Sequence, residues 1–383
     1  MNPRNTTDEL VSVKIEAVED VPDLAWAVGL EVSLPIRIAE ALPGYRQKRI
    51  IISRARVADT AVCIDGLRMR AAFTPSPPVS ARLPFSYQLV PLWFRTAIGR
   101  ALGHLQRRRS RSWAAYPRWP LDLSADFVAD LSGAAPSPFS DGRTPVLLTH
   151  DIDTAEGLEN LVGRFLPIEE SIGARSANYV VPFAWPLDHG LLTEISARGH
   201  ELGIHGYDHS NRTPFAASAQ RKSRIEAARP LVERYGMTGY RAPSLLRTQE
   251  LLADLGDLYS YDSSIPTSGG LFPVPNNGCA TARPFLIGKL VEIPLTMPRD
   301  GSLKFLGYRP HEIISIWHAC ARQIAASGGI VTLLTHCETR FSGDETMLSM
   351  YRRFLEDLAS DDRYRFSTSA EILHVVGNYS HER

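Results

Sequence analysis

From residue 145 to residue 358, short apolar runs that suit buried strands alternate with longer segments of helical periodicity. Predicted strands cover residues 145–149, 176–181, 201–205, 258–261, 291–295 and 330–334, with a further short one opened by Tyr240. Predicted helices cover residues 156–172, 189–197, 218–235, 249–255, 311–326 and 345–358. Because such alternation is typical of parallel sheets, we expect a βα-built domain with its chemistry at the carboxyl ends of the strands.

The composition narrows the class of protein. The chain has 383 residues, 44% of them hydrophobic, which is enough for one large domain or two modest ones. Basic and acidic residues balance at 42 each, so the overall charge does not favour nucleic acid as a partner. The four cysteines include no CxxC pair, which argues against a disulfide scaffold and against a thiolate zinc site. The polar N-terminus lacks a signal core and no stretch approaches the ~20 apolar residues of a membrane span, so we expect a cytoplasmic protein.

Residues 1–125 differ from the rest, and we assign them to a small α/β accessory domain. A proline-punctuated linker, residues 126–143, would join it to a catalytic domain, residues 144–383. Residues 49–53 suit a strand, and residues 92–105 suit an amphipathic helix.

A basic segment without acidic residues lies in this region. No Asp or Glu occurs from Gly66 to Leu121, which contains Arg68, Arg70, Arg82, Arg95, Arg100, Arg107, Arg108, Arg109, Arg111 and Arg118. The segment 95–118 suits the phosphates of a nucleotide-linked or lipid-linked sugar, or peripheral contact with the inner face of a membrane. The alternative is a solvated face that pairs with acidic residues elsewhere.

Two aspartates follow the first predicted strand. Because side chains alternate along a strand, Asp151 and Asp153 project to one side and His150 and Ile152 to the other. Two carboxylates on one face favour a shared cation or arginine. The alternative is a turn in which an aspartate caps the following helix.

Two histidines follow a later strand. His205 and His209 can bind one divalent ion if their segment turns helically, although with eleven His roughly 0.3 such pairs are expected by chance. Two His and one carboxylate are a recurring catalytic metal set that leaves positions open for water and substrate. A carboxylate held off the metal could take the proton of the activated water.

Three further groups follow predicted strands. His336 could protonate a departing amine, Arg241 could hold a carboxylate and lower its pKa, and Asp262 could orient either of them. Each has a plainer interpretation as a packed histidine, a surface arginine or a turn aspartate. The conjunction of a base, a metal set and an acid in this order favours a single hydrolytic site.

The motifs Thr-His-Asp-Ile-Asp, His-x-x-x-His, Arg-x-Pro, Asp-Ser-Ser and Leu-Thr-His occur in this order over about residues 145–375. In them the chain resembles the polysaccharide deacetylases, the NodB-homology or carbohydrate esterase family 4 proteins, and especially the branch whose first motif reads HDxD. The resemblance implies a distorted (β/α)7-type barrel. It implies these roles: Asp151 as general base, Asp153, His205 and His209 as metal ligands, Arg241 as the residue that holds the base, His336 as general acid, and Asp262 as a supporting residue.

The sequence departs from the family pattern in two places. Ser244 stands where members often carry an aromatic residue whose backbone N–H helps bind the oxyanion, and the aspartates of the first motif are not adjacent. The second departure leaves the roles of Asp151 and Asp153 less firmly assigned than those of the histidines.

The resemblance implies metal-dependent removal of an N-acetyl or N-formyl group from an amino sugar, which we expect to be a nucleotide-linked or lipid-linked biosynthetic intermediate. Zn²⁺ is the expected metal, and Co²⁺, Ni²⁺ or Fe²⁺ also suit such a ligand set. Two alternatives stay open at this point. One is C–N hydrolysis of a non-sugar amide or cyclic ureide, and the other is a carbohydrate-binding barrel without catalysis.

Overall fold

The computed structural model describes residues 72–83, 87–113, 121–123, 125–126, 129, 139, 142–267 and 278–381, together with four short strands before residue 64. These strands are β1 (Val11–Ile15), β2 (Ala39–Glu40), β3 (Lys48–Ser53) and β4 (Val62–Cys63). β3 pairs antiparallel with β1 and β2 and parallel with β4, and the predicted strand 49–53 lies within it.

A larger sheet carries the rest of the described chain. Its strands are β5 (Thr144–Ile152), β6 (Ser176–Val180), β7 (Glu201–Ile204), β8 (Gly239–Tyr240), β9 (Tyr261–Asp262), β10 (Phe285–Ile287), β11 (Leu290–Glu292), β12 (Val331–His336) and β13 (Tyr364–Phe366). Eight of them follow the order β10-β11-β9-β8-β7-β6-β5-β12, and β13 pairs with the start of β5. All neighbouring strands of this sheet are parallel except β10 and β11. The sheet curls into a half-barrel. The predicted distorted barrel is confirmed.

Helices connect the strands. They are α1 (Val79–Arg82), α2 (Leu92–Trp113), α3 (Ala155–Asn160), α4 (Leu166–Ser171), α5 (His189–Ala197), α6 (Ser218–Glu226), α7 (Arg229–Tyr235), α8 (Gln249–Leu255), α9 (Asp300–Phe305), α10 (Pro310–Ala326), α11 (Glu345–Ala359) and α12 (Ser369–His381). All nine residues of β5 are buried, as expected for a central parallel strand that is covered on both faces.

Several element bounds differ from the predictions. The bounds of α5 and α8 coincide with the predicted ones, but the predicted helix 218–235 is wrong as a single helix. It is divided into α6 and α7 because Pro230 lies in the first turn of α7, and a helix interior does not tolerate a proline. Gly236 ends α7 with a φ of 62°, the left-handed conformation that favours glycine.

The segment before the barrel packs against it. A Cβ atom on Gly103 of α2 would lie only 1.9 Å from the carbonyl oxygen of Phe305, so only a glycine lets the two helix backbones approach this closely. Four residues further along α2, the Arg107 guanidinium donates to the carbonyl oxygen of Gly307 over 2.8 Å. Within the described part of the chain, no helix combines the length and the apolarity that a membrane crossing requires.

Candidate metal centre and catalytic site

The two aspartates lie at the carboxyl end of β5, where alternation along the strand was predicted to turn them to one side. Asp151 is the last but one residue of the strand and Asp153 follows its end. On the opposite side, Ile152 belongs to the apolar core and the His150 ring lies 2.7 Å from the Glu169 carboxylate, fully buried. The alternative interpretation, in which an aspartate caps the following helix, is wrong, because Thr154 is the N-cap of α3.

Asp153, His205 and His209 converge on one point. Each offers one ligand atom, and these three atoms lie within 4.8 Å of one another. Asp153 Oδ1 is 3.6 Å from His205 Nε2 and 3.3 Å from His209 Nε2. This oxygen is buried and has no hydrogen-bond partner among the described residues, although an unpaired buried carboxylate oxygen is costly. A divalent cation between the three atoms would remove that cost.

The two histidines do not converge by a helical turn, so that condition of the sequence prediction is wrong. The segment after β7 is a bent loop in which Gly206 and His209 have φ values of 70° and 55°. The left-handed backbone at these residues directs the two rings together, with centroids 5.1 Å apart. A residue other than glycine is strained in the left-handed backbone conformation, and such strain often accompanies functional sites.

In both histidines Nδ1 has a hydrogen-bond partner, so Nε2 is the nitrogen that is available to a metal ion. His205 Nδ1 lies 3.0 Å from the backbone carbonyl of Arg241, so it must carry the proton and donate. His209 Nδ1 lies 2.8 Å from the hydroxyl of Tyr87. Burial lowers the pKa of His205 to about 4, so its ring is neutral and keeps a lone pair at neutral pH. The donor set therefore fits a divalent metal such as Zn²⁺.

Asp151 stands beside this set, held by an arginine. The Arg241 guanidinium donates to Asp151 Oδ1 over 3.1 Å and to the Thr149 hydroxyl over 2.9 Å. The other oxygen, Oδ2, lies 3.6 Å from His205 Nε2 and so faces the centre. Burial alone would raise the pKa of Asp151, but His205 and Arg241 outweigh burial and lower it. Asp151 therefore stays ionised at neutral pH.

Arg241 is itself fixed by several partners. Its Nε donates to the carbonyl of Ser263 and its second terminal nitrogen to the Ser263 hydroxyl, both over 2.9 Å. The guanidinium carbon also lies 4.2 Å from the centroid of the Tyr179 ring. The arginine is completely buried, so it can hold Asp151 in only one orientation.

His336, at the end of β12, is paired with a residue that the sequence analysis did not select. Its Nδ1 lies 2.8 Å from Asp300 Oδ1, and its backbone N–H donates to Asp300 Oδ2 over 2.9 Å. The Ser342 hydroxyl donates to the same carboxylate over 2.7 Å. Burial alone would lower the pKa of His336, but Asp300 raises it to about 9. His336 is therefore cationic at neutral pH.

Asp262, for which a supporting role was predicted, is fully buried behind the candidate site. Its carboxylate accepts from the backbone N–H and the hydroxyl of Ser264, over 2.9 and 2.7 Å, and the Ser264 hydroxyl accepts from the N–H of Ala242. No direct hydrogen bond joins it to Arg241 or His336 in the described structure. It fixes the loops that follow β8 and β9, and burial raises its pKa.

Two further charged groups lie near the carboxylates. Arg299 is buried and its Nε has no partner in the described structure. Burial lowers its pKa to about 10, and the charge of Asp151 opposes that shift most strongly. Burial and the charge of Asp153 raise the pKa of Glu338 to about 7. At neutral pH Glu338 is therefore partly protonated, whereas Arg299 contributes a full positive charge.

The turn after β8 carries Ser244, where the polysaccharide deacetylases often have an aromatic residue. Ser244 and Leu245 have φ values of 53° and 56°, left-handed conformations that are unusual for residues other than glycine. Of the five non-glycine residues with positive φ in the described structure, these two and His209 and Asn211 lie in the loops after β7 and β8. Backbone strain is therefore concentrated at the end of the sheet where the site lies.

The structure is similar to solved proteins that are described as polysaccharide deacetylases. A Mycobacterium smegmatis protein described as a polysaccharide deacetylase matches with a TM-score of 0.51 and 21% identity, over 64% of this chain and 95% of its own. A Pseudomonas aeruginosa PAO1 protein with the same description matches with a TM-score of 0.51 and 16% identity, over 68% of this chain and 98% of its own. No protein-family model and no curated protein matches the sequence.

These likenesses define the fold. The chain has the α/β half-barrel fold of the polysaccharide deacetylases, as the order of its motifs predicted. Its assignment to the HDxD branch and the catalytic roles of the individual residues stay predictions.

Proposed function

We propose that the protein is a metal-dependent amidohydrolase that removes an N-acyl group, most simply N-acetyl, from an amino sugar. One observation carries the proposal: three ligand-type atoms converge on one point, flanked by an ionised aspartate and a cationic histidine. A binding protein has no need of such a base and acid. The descriptions of the Mycobacterium and Pseudomonas proteins support a carbohydrate as the substrate class.

The chain's own residues divide the reaction between them. Asp153, His205 and His209 would hold the ion, which supplies Lewis acidity toward the amide carbonyl and the attacking water. Asp151 accepts the proton of that water on Oδ2, because Arg241 occupies Oδ1. The oxygen then bonds to the carbonyl carbon. His336 donates its proton to the amide nitrogen as the C–N bond breaks, so that the products are an amine and a carboxylic acid.

Acetate release from a panel of N-acetylated amino sugars, free and nucleotide-linked, tests the proposal. The purified protein would be stripped with a chelator, reloaded with Zn²⁺, Co²⁺, Ni²⁺ or Fe²⁺, and assayed beside ring opening of cyclic ureides. We expect about one ion per chain and metal-dependent acetate release. Ring opening without acetate release would replace the sugar amide by a ureide, and stoichiometric metal without turnover of any substrate would indicate a binding protein.

The His209→Ala variant separates metal binding from catalysis. It removes one ligand at the edge of the site, so we expect loss of both bound metal and activity. His189→Ala is a matched control, because that histidine stacks on Tyr235 at the surface, 2.9 Å from its hydroxyl. The ligand assignment would be wrong if His209→Ala kept the parental metal content.

A further inference from the structure

The exposed apolar side chains of the described structure are concentrated on one segment. Among the described residues nine large hydrophobic side chains are exposed, and seven of them lie between residues 79 and 105, with exposed fractions from 44% to 77%. These seven are Val79, Leu89, Trp93, Phe94, Ile98, Leu102 and Leu105. Apolar side chains scattered singly need no explanation, but a cluster of this kind marks an interaction surface.

Helix α2 carries five of the seven and has two different sides. Gly99 and Gly103 face the barrel, where added Cβ atoms would lie 3.0 Å and 1.9 Å from atoms of Phe305. Phe94, Ile98, Leu102 and Leu105 recur at steps of four, four and three residues, which places them along one stripe away from these glycines. The apolar spacing predicts an amphipathic helix over residues 92–105. The observed helix continues to Trp113, and its apolar stripe faces outward.

The charge of the same helix selects the partner. The sequence of α2 contains six arginines and no acidic residue, and no acidic residue occurs anywhere from Gly66 to Leu121. Arg107 turns toward Gly307 and Glu312, whereas Arg100 is exposed. An exposed apolar stripe on a basic helix whose own sequence has no acidic residue complements the anionic headgroups and acyl chains at the surface of a bilayer. A second copy of this chain would instead bring another basic helix against this one.

The segment that carries the apolar stripe also reaches the metal centre. The hydroxyl of Tyr87 lies 2.8 Å from His209 Nδ1, and the Ser80 hydroxyl accepts from Asn211 over 3.1 Å. Burial lowers the pKa of Arg95, on the first turn of α2, and Tyr87 and the charge of Asp153 oppose that shift. The outward stripe and the candidate site therefore share one edge of the barrel.

We propose that α2 lies flat on an anionic phospholipid surface and places the candidate site next to the headgroups, so that the substrate is an amino sugar carried on a lipid. Attachment to the bilayer follows from the helix alone. The substrate class rests, in addition, on the deacylase function proposed above.

Sedimentation with phospholipid vesicles tests the attachment. The full-length protein would be mixed with phosphatidylcholine vesicles with and without phosphatidylglycerol. We expect binding to the anionic vesicles that weakens as salt is added, because headgroup attraction is screened. The double variant Phe94→Ser, Ile98→Ser should lose at least about tenfold in partition coefficient for each side chain withdrawn from the acyl region.

The chain provides a matched control. Phe183→Ser with Leu286→Ser removes the two exposed apolar residues that lie outside the segment, and vesicle binding should stay within about twofold of the parent. Circular dichroism and metal content of all variants check that they fold. Equal partition of the parent and the α2 variant would overturn the proposal. A dimer that the α2 variant abolishes would also overturn it, since a second copy would then cover the stripe. A parent without affinity for either kind of vesicle would do the same, since this chain itself would then cover the stripe.

Activity separates the two parts of the proposal. On a water-soluble acetamido sugar the α2 variant should keep the parental kcat/KM, and on a vesicle-embedded lipid-linked acetamido sugar it should lose at least about tenfold. Vesicle binding without deacylation of any sugar would leave the attachment standing and reject the proposed function. Deacylation of the soluble sugar alone would reject the lipid-carried substrate.

Discussion

Replacing Asp300 by Asn tests the pair that this residue forms with His336, because the change keeps the shape of the side chain and removes its charge. Asp300 accepts from the backbone N–H of His336 and from the Ser342 hydroxyl, and it lies 2.8 Å from His336 Nδ1. Apart from Asp300, Asp153 and Asp151 are the carboxylates that favour the cationic ring, while burial opposes it. Without the charge of Asp300, burial should dominate.

The size of the effect follows from the pKa of His336. In the parent it is about 9, and in Asp300→Asn we expect it to fall at least to the ordinary value of 6.5. The difference of about 2.5 units corresponds to roughly 3.4 kcal/mol in favour of the protonated ring. At pH 8 the protonated fraction would fall from about nine-tenths to about one-thirtieth.

The assay is the pH dependence of kcat/KM for the metal-loaded enzyme. The basic limb, where the general acid loses its proton, should move toward lower pH by about 2.5 units in Asp300→Asn. A bound cation lowers the pKa of His336 in the parent and in Asp300→Asn alike, so the difference between the two pKa values should remain. Asp357→Asn is a matched control, because that residue pairs with His318 over 3.1 Å at the surface. A basic limb that stays in place in Asp300→Asn would show that His336 is not the general acid or that Asp300 does not set its pKa.

Further predictions concern the base, the metal ligands, the helix and stability. Asp151→Asn should lower kcat by about 10²–10⁴-fold, with unchanged metal content because Asp151 is not among the three converging ligands; parental turnover would exclude it as the base. Tyr87→Phe should weaken metal affinity by about 10–100-fold in competition with a chelator, because the hydroxyl no longer orients the ring that it contacts. Gly103→Ala should lower the free energy of unfolding by about 1–3 kcal/mol, since its Cβ meets a backbone carbonyl, whereas Gly377→Ala, with open space around it, should be neutral or stabilising in the same denaturant titration. The stabilisation from the raised pKa of His336 should be complete below pH 6.5 and be lost as the pH rises through about 9, so the unfolding free energy of the metal-free parent should fall over this interval and that of Asp300→Asn should change less.

The fold was predictable where the local pattern and the tertiary requirement agree. The run that becomes β5 is apolar because it is buried on both faces, and α5 has both a capping aspartate, Asp188, and an apolar face. The strand predicted over residues 258–261 overlaps β9 only at Tyr261, because Leu258 and Tyr259 pack into the core from a loop and resemble strand residues in sequence. β13 was missed because its three residues carry no alternation of their own and are held only by pairing with β5.

The metal ligands and the base of the candidate site were predictable from the sequence, but the groups that set their charge states were not. Asp151 and Asp153 lie at the end of β5 and the two histidines lie in the loop after β7, so parallel pairing brings both segments to one edge of the sheet. The left-handed backbone at Gly206 and His209 then brings the two rings together. The groups that tune them come from elsewhere. Asp300 opens a helix after a Pro-Arg pair and resembles a turn residue, and Tyr87 lies 122 residues before the histidine that it contacts. Local sequence encodes which groups meet at the edge, whereas their charge states are set by tertiary contacts. The pH profile of Asp300→Asn and the metal affinity of Tyr87→Phe therefore measure what the motifs alone do not encode.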